Sequence, residues 1–228
     1  MTATARWPAL AAGLAMLAGL TGCGGAQLGW LATQMNPTVA VPAVYTPPKG
    51  KTVLVFVDDY FRVVTYDPVK EHLARQLSRQ LQDNKVAKKT VGYERILALA
   101  EADNHFDDLS VSEVGDKLGD DLVLYVLIDR FSLRDSDASQ LWRGRLQATV
   151  RLVDVRSGRL WPQDRVEGYP VPAVETPLSD NSLPNYEAQL AQTLANQMAE
   201  RVGRLFYDHK ISQEEHQRMP DDVDPGTE

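Results

Sequence analysis

Residues Leu141–Val166 hold the pattern that most restricts the fold. Read at alternate positions, one side of the run carries Trp142, Gly144, Leu146, Ala148, Val150 and Leu152, and the other Arg143, Arg145, Gln147, Thr149 and Arg151. A period of two, apolar against polar, belongs to an antiparallel strand with one face on a core and one toward water. A Ser157-Gly158 turn and a return strand complete a hairpin. A two-residue loop would mix the two faces. A three-residue loop of Arg156, Ser157 and Gly158, with the glycine left-handed as a bulge, sets Leu152 opposite Pro162, Ala148 opposite Val166 and Gln147 opposite Glu167, which keeps like with like. In that register Trp161 falls opposite Val153, on the mainly polar face. Pro162 has no N–H to donate, which places the return strand at an edge or turns that bond outward.

The other elements follow from equally local signals. Lys51–Val57 (KTVLVFV) is a near-continuous β-branched run, as expected of a central strand covered on both faces. It leads into Asp58, Asp59 and Tyr60, which read as solvated turn residues because no histidine, glutamate or glycine-rich loop follows to build a site with them. Asp67-Pro68 starts a helix to Gln82, with Val69, Leu73, Leu77 and Leu81 on one face. A short strand is expected over Lys85–Val91, and a helix over Tyr93–Ala102. Ser110 with Glu113 forms a capping box for a helix that stops at Gly119. Asp121–Phe131 is the most apolar strand and belongs between the Lys51 strand and the hairpin. Gly168–Pro184 reads as a long connection, and Asn185–Tyr207 as a last helix with Leu190, Leu194, Met198, Val202 and Leu205 inward.

Together these predict a single domain of α/β (α+β) class: a mixed, largely antiparallel sheet of about five strands with three to four helices packed on it. A chain of 228 residues with 43% hydrophobic residues can bury one such core.

The ends differ from this body. Arg6 precedes an apolar run, Ala9–Leu20, that is too short to span a bilayer and stops at Leu20-Thr21-Gly22-Cys23. That string resembles the lipobox of bacterial lipoprotein precursors, which implies removal of residues 1–22 and lipidation of Cys23, including a palmitate-type acyl chain. Each buried methylene contributes about 0.8 kcal/mol, and more than one chain gives stable anchoring. Gly24 after the cysteine, rather than an aspartate, implies the outer membrane under the enteric sorting pattern; inner against outer stays open. Residues 23–50 carry the lipid and a Pro/Gly-rich tether, with Leu28, Trp30 and Leu31 available to a membrane surface, and a typical reach of about 30 Å. Residues 51–209 form the domain, and 210–228 a disordered acidic tail.

Leu118-Gly119-Asp120-Asp121-Leu122-Val123-Leu124-Tyr125, with the string Arg151-Leu152-Val153-Asp154-Val155-Arg156-Ser157-Gly158-Arg159-Leu160-Trp161, resembles the CsgG/LpoB group of bacterial lipoproteins. The resemblance implies a small periplasmic α/β domain carried on an N-terminal lipid. It also implies two functional directions within the group: oligomeric outer-membrane export pores of the curli-secretion type, and activators that bind a cell-wall synthase. A pore demands barrel strands of about ten residues from each subunit, and Asp103–Leu109 and Ser132–Gln140 are too short and too charged to supply them.

Function is constrained mainly by exclusion. A formal net charge of -7 argues against nucleic acid, which demands a cationic stripe. One cysteine allows neither an intramolecular disulfide nor a thiolate metal site. His72, His105, His209 and His216 are scattered, and His105 with Asp107 and Asp108 on a polar loop is the nearest approach to a cluster. No catalytic or phosphate-binding motif occurs. The expectation is therefore a non-catalytic, lipid-anchored periplasmic accessory protein, without metal or cofactor, that binds another cell-envelope protein. A subunit of an oligomeric export complex is the alternative. Trp161, Arg151 and Arg145 are the candidate partner-binding residues, with Trp161 either exposed there or covered by the Gly168–Pro184 connection, and Trp142 a second aromatic to consider.

Overall fold

The computed structural model describes residues 37–136, 139–181 and 183–217, without the side chain of residue 216. Cys23, Leu28, Trp30, Leu31 and the tail beyond residue 217 lie outside the described residues. The chain divides into a main unit, Pro42–His209, and a small one formed by residues on either side of it. In the small unit β1 (Thr38–Val41) pairs with β8 (His209–Ser212), and the Gln213 N–H donates to the Pro37 carbonyl at 3.0 Å. The first part of the expected tail thus forms β8 and a short helix, α5 (Gln213–Gln217).

The main unit is a mixed α/β domain. Its elements in order are β2 (Thr52–Asp58), α1 (Pro68–Asp83), β3 (Lys89–Val91), α2 (Tyr93–Ala102), α3 (Val111–Leu118), β4 (Leu122–Arg134), β5 (Trp142–Asp154), β6 (Gly158–Trp161), β7 (Tyr169–Glu175) and α4 (Tyr186–Arg204). The sheet runs β3-β2-β4-β5, and β6 and β7 share the outer edge of β5. β3, β2 and β4 are mutually parallel, with Val53 level with Leu122 and Asp58 level with Leu127. The remaining pairings are antiparallel.

Both faces of β2 are used, as its unbroken apolar run predicts. Val53, Val55 and Val57 join the larger core with Leu73, Leu77 and Leu81 of α1 and Leu194, Met198 and Val202 of α4. Leu54 faces the other way, with Val123 of β4, Ile96 of α2 and Val114 and Leu118 of α3. Each large aliphatic side chain so buried contributes roughly 1.5–3 kcal/mol. Two caps behave differently. Ser110 and Glu113 close the predicted capping box, and Gly119 ends α3 in the left-handed conformation. Asp67 instead turns helical and caps nothing, so Pro68 at the first position carries the start of α1.

Four expectations are corrected. The tether ends at the domain surface earlier than residue 50: Pro47 is buried, and Tyr45 stacks on Trp161 with ring centroids 5.8 Å apart. The strand expected over Lys85–Val91 keeps only its last three residues. The hairpin register differs from the predicted one. Gly158 is left-handed, at φ +91°, but it pairs with Asp154, and after an irregularity Leu152 faces Trp161. The carboxylate of Asp154 accepts the N–H groups of Arg156 and Ser157 and the Ser157 hydroxyl at 2.8–3.0 Å, which holds the three-residue loop one residue earlier, over 155–157. Finally, the return strand stops at Trp161, before Pro162, and the Gly168–Pro184 connection contains a strand. β7 pairs Val171 with Ala148 and Val174 with Leu146, and buries both valines, while Pro170 and Pro172 point outward as an edge strand allows.

Candidate partner-binding face

β5 sorts its side chains as its sequence pattern requires. Gly144, Leu146, Ala148, Val150 and Leu152 lie under α4, and Arg145, Gln147, Thr149 and Arg151 lie on the second face. α2 and α3 cover that second face only over Leu54, Val123 and their neighbours. Tyr125 marks the boundary, set edge-on against Phe56 at 5.5 Å, which in turn meets Phe106. Beyond it the sheet is open: Leu127, Gln147 and Thr149 are half-buried, and Arg130 and Arg145 are exposed.

The polar groups on this open face are internally organised. The Tyr125 hydroxyl donates to Asp58 Oδ2 at 2.5 Å, and the Arg151 guanidinium lies 4.8 Å from the Tyr125 ring centre. Burial pushes the Tyr125 phenol up, and its bond to Asp58 pushes it further, so it stays a donor and is no base. Thr149 donates to Asp129 at 2.7 Å, and desolvation raises the Asp129 carboxyl above its ordinary range. Arg145 pairs with Glu175 of β7 across the strands at 2.9 Å. Each carboxylate of the face therefore already holds a donor from the domain. Three guanidinium groups, of Arg130, Arg145 and Arg151, share the face with three carboxylates, of Asp58, Asp129 and Glu175, and those of Arg130 and Arg151 enter no salt bridge among the described residues. Gly168 lets the edge close here. At φ +113°, a Cβ on it would stand 2.7 Å from Thr149 Cγ2, 2.9 Å from Arg151 Cγ and 3.0 Å from the Val150 carbonyl oxygen.

The structure brings Arg145 and Arg151 together on this face and separates Trp161 from them. Trp161 is buried on the opposite side of the sheet, packed with Tyr45, Tyr169 and Phe206 at centroid distances of 5.8, 4.9 and 5.6 Å. The shifted hairpin register moves it from the polar to the apolar face, so its place as an exposed partner residue is withdrawn. Trp142 is engaged as well, with the Arg134 guanidinium 3.6 Å from its ring centre and Tyr186 edge-on at 5.7 Å. Asp58 and Asp59 are structural rather than simply solvated: Asp59 accepts the N–H groups of Val63 and Val64 at 2.8 and 3.0 Å. His105 sits 3.4 Å from Asp108 with both side chains largely in water. Among the described residues no three His, Cys, Asp or Glu side chains gather to hold a metal, and no helix is long and apolar enough to cross a membrane.

Sequence reasoning missed one feature. Tyr60 and Phe61, in the turn after β2, are 76% and 58% exposed and are the only exposed aromatic side chains among the described residues. The available signal was two aromatics directly after the central strand with no helical or strand period behind them.

No protein-family model matches the sequence, and no curated protein matches it. Similar solved structures include a lipoprotein from Neisseria meningitidis, at 17% identity and TM-score 0.41, covering 67% of this chain and 99% of that one. A PelC dodecamer from Paraburkholderia phytofirmans, at 13% identity and TM-score 0.39, covers 76% and 99%. A putative lipoprotein from Caulobacter crescentus, at 13% identity and TM-score 0.33, covers 66% and 84%.

Proposed function

We propose that this chain is a lipid-anchored accessory protein of the bacterial cell envelope, held at a membrane through Cys23 and facing the periplasm, which binds another envelope protein on its open sheet face and catalyses no reaction itself. The observation that carries the reading is an uncovered stretch of sheet whose carboxylates already hold donors from the domain and on which the Arg130 and Arg151 guanidinium groups enter no salt bridge among the described residues, with Arg145 on the same face paired to Glu175. Such a surface leaves guanidinium groups to recognise carboxylates of a partner, and arginine is the side chain best suited to that, through its planar fork. Half-buried Leu127 and Thr149 between them supply an apolar floor. The lipobox-like ending at Cys23 supports the anchor.

The test is recovery of the partner from envelope extracts by the full lipidated chain, compared with Arg145→Glu and Arg151→Glu. Loss of a specific partner from both variants at unchanged melting temperature supports the reading. Unchanged recovery by both, with intact folding, rules this face out.

A further inference from the structure

The turn after β2 holds its two aromatic rings in water by construction. The carboxylate of Asp59 accepts the N–H groups of Val63 and Val64, and its carbonyl accepts that of Arg62 at 2.9 Å. Arg62 is left-handed, at φ +52°, a conformation that L side chains rarely adopt. Tyr60 and Phe61 pack edge-on against each other with centroids 5.5 Å apart, forming one apolar knob. Val63 and Val64 dip back onto the core and fix its base. The charges are sorted as well. The Asp59 and Asp58 oxygens are turned inward, onto the turn's own N–H groups and the Tyr125 hydroxyl, whereas Arg62 is exposed and enters no salt bridge among the described residues.

An exposed aromatic pair with a cation beside it has the chemistry of a membrane–water interface. Aromatic rings settle at the headgroup level, and arginine reaches lipid phosphates while its stem lies along apolar surface. The chain length permits the encounter if Cys23 is lipidated. Nineteen residue steps separate Cys23 from Pro42, where the main unit begins, and span at most about 65 Å when fully extended. A domain of this size has a radius of gyration of only about 15 Å. The bilayer surface is therefore within reach of the domain.

We infer that Tyr60, Phe61 and Arg62 form a second, non-covalent membrane contact: a rigid aromatic tip that seats in the phospholipid headgroup layer and orients the domain on the membrane that carries its lipid anchor. The inference rests on the lipid-anchor reading, and its test separates the two. Lipidation consumes the sulfur of Cys23, so a cysteine introduced as Phe61→Cys is the one free thiol of the mature chain and takes a single apolar nitroxide label. Val166→Cys, at a residue 74% exposed in the loop before β7, serves as the control. Both proteins are placed in vesicles of phosphatidylethanolamine with a minor share of phosphatidylglycerol, and the mass of the N-terminal peptide is measured alongside.

The expected result is a ratio of oxygen to water-soluble nickel-chelate collisions severalfold higher at position 61 than at position 166, falling back toward the control when Tyr60→Ser and Arg62→Ser are added. Equal ratios at the two positions, with Cys23 shown to carry lipid, overturn the membrane contact and leave the anchor standing. An unmodified Cys23 thiol overturns the anchor, and the contact with it. A label that is water-accessible on lipid vesicles but shielded on native envelope membranes assigns the knob to a protein and also overturns the inference.

Discussion

Replacing Asp120 by Asn should stabilise the protein, and by an amount that depends on pH. Asp120 follows the left-handed Gly119 at the end of α3, where its N–H donates to the Gly115 carbonyl at 3.0 Å. It is the one buried charged residue of the described core, 7% exposed, and neither carboxylate oxygen has a hydrogen-bond partner. The nearby Thr52 hydroxyl donates to Asp121 instead, at 3.1 Å. Desolvation is the main cause that raises the Asp120 carboxyl from its ordinary 3.8 to about 6; Asp121 adds to it, and Thr52, Arg95 and Lys89 oppose it. Because the folded value lies above the unfolded one, the native state is favoured below pH 4, loses that advantage as pH rises toward 6, and bears the full cost above it. A carboxyl moved from 3.8 to about 6 costs the ionised native state at most about 3 kcal/mol. For a domain of this size that is a difference in melting temperature of about 6–12 °C. Urea and thermal unfolding of wild type and Asp120→Asn at pH 4 and pH 7.5 measure it. The variant should gain up to about 3 kcal/mol at pH 7.5 and close to nothing at pH 4. Asp103, Glu113 and Asp154, which hydrogen bonds hold below the ordinary range, lose their contribution at acid pH in both proteins and cancel in the difference. An equal gain at both pH values would refute the argument from a buried, titrating carboxylate.

Trp161→Ala should destabilise by about 3–5 kcal/mol, measured by urea unfolding, because it empties the centre of an aromatic cluster; partner recovery should then fall only in proportion to unfolding, whereas a loss from fully folded protein would restore Trp161 as a contact residue. Gly168→Ala should cost about 1–3 kcal/mol through the left-handed backbone and the contact with the Val150 carbonyl, and it should displace Arg151 enough to weaken partner binding; a variant of wild-type stability would show that the β5–β7 edge is looser than its geometry implies. Charge reversal at Arg145 and Arg151 and the labelled aromatic tip complete the set.

The parts of the fold legible in the sequence are those fixed by short-range periodicity. The stripe Val69–Leu73–Leu77–Leu81, the two apolar strands, the capping box at Ser110 and the alternation along β5 each encode their partner face without long-range information. The sheet edge was not legible, because two distant segments compete for it. β6 takes the last three residues of β5 and β7 takes the rest, and a single hairpin register cannot describe both. The Val171 and Val174 pattern that marks β7 is masked by Pro170 and Pro172, which a sequence reading assigns to a loop. Trp161 then changed sides because the β5–β6 ladder slips by one residue between Val153 and Leu152, and one residue of slip reverses every side chain beyond it. Of the candidate site, Arg145 and Arg151 were placed correctly on one face by the period of two. The openness of that face was hidden, since it depends on how far α2 and α3 extend over the sheet.

The claim that the open sheet face is the binding surface is tested most directly at Gln147, which lies between Arg145 and Arg151 and is half-buried. A photo-crosslinking side chain at this position in the lipidated chain, activated in intact cells, should give one discrete adduct with an envelope protein, lost on adding Arg151→Glu. The same side chain at Gln82, exposed on α1 across the sheet, should give none. An adduct from Gln82 and none from Gln147 would contradict the account.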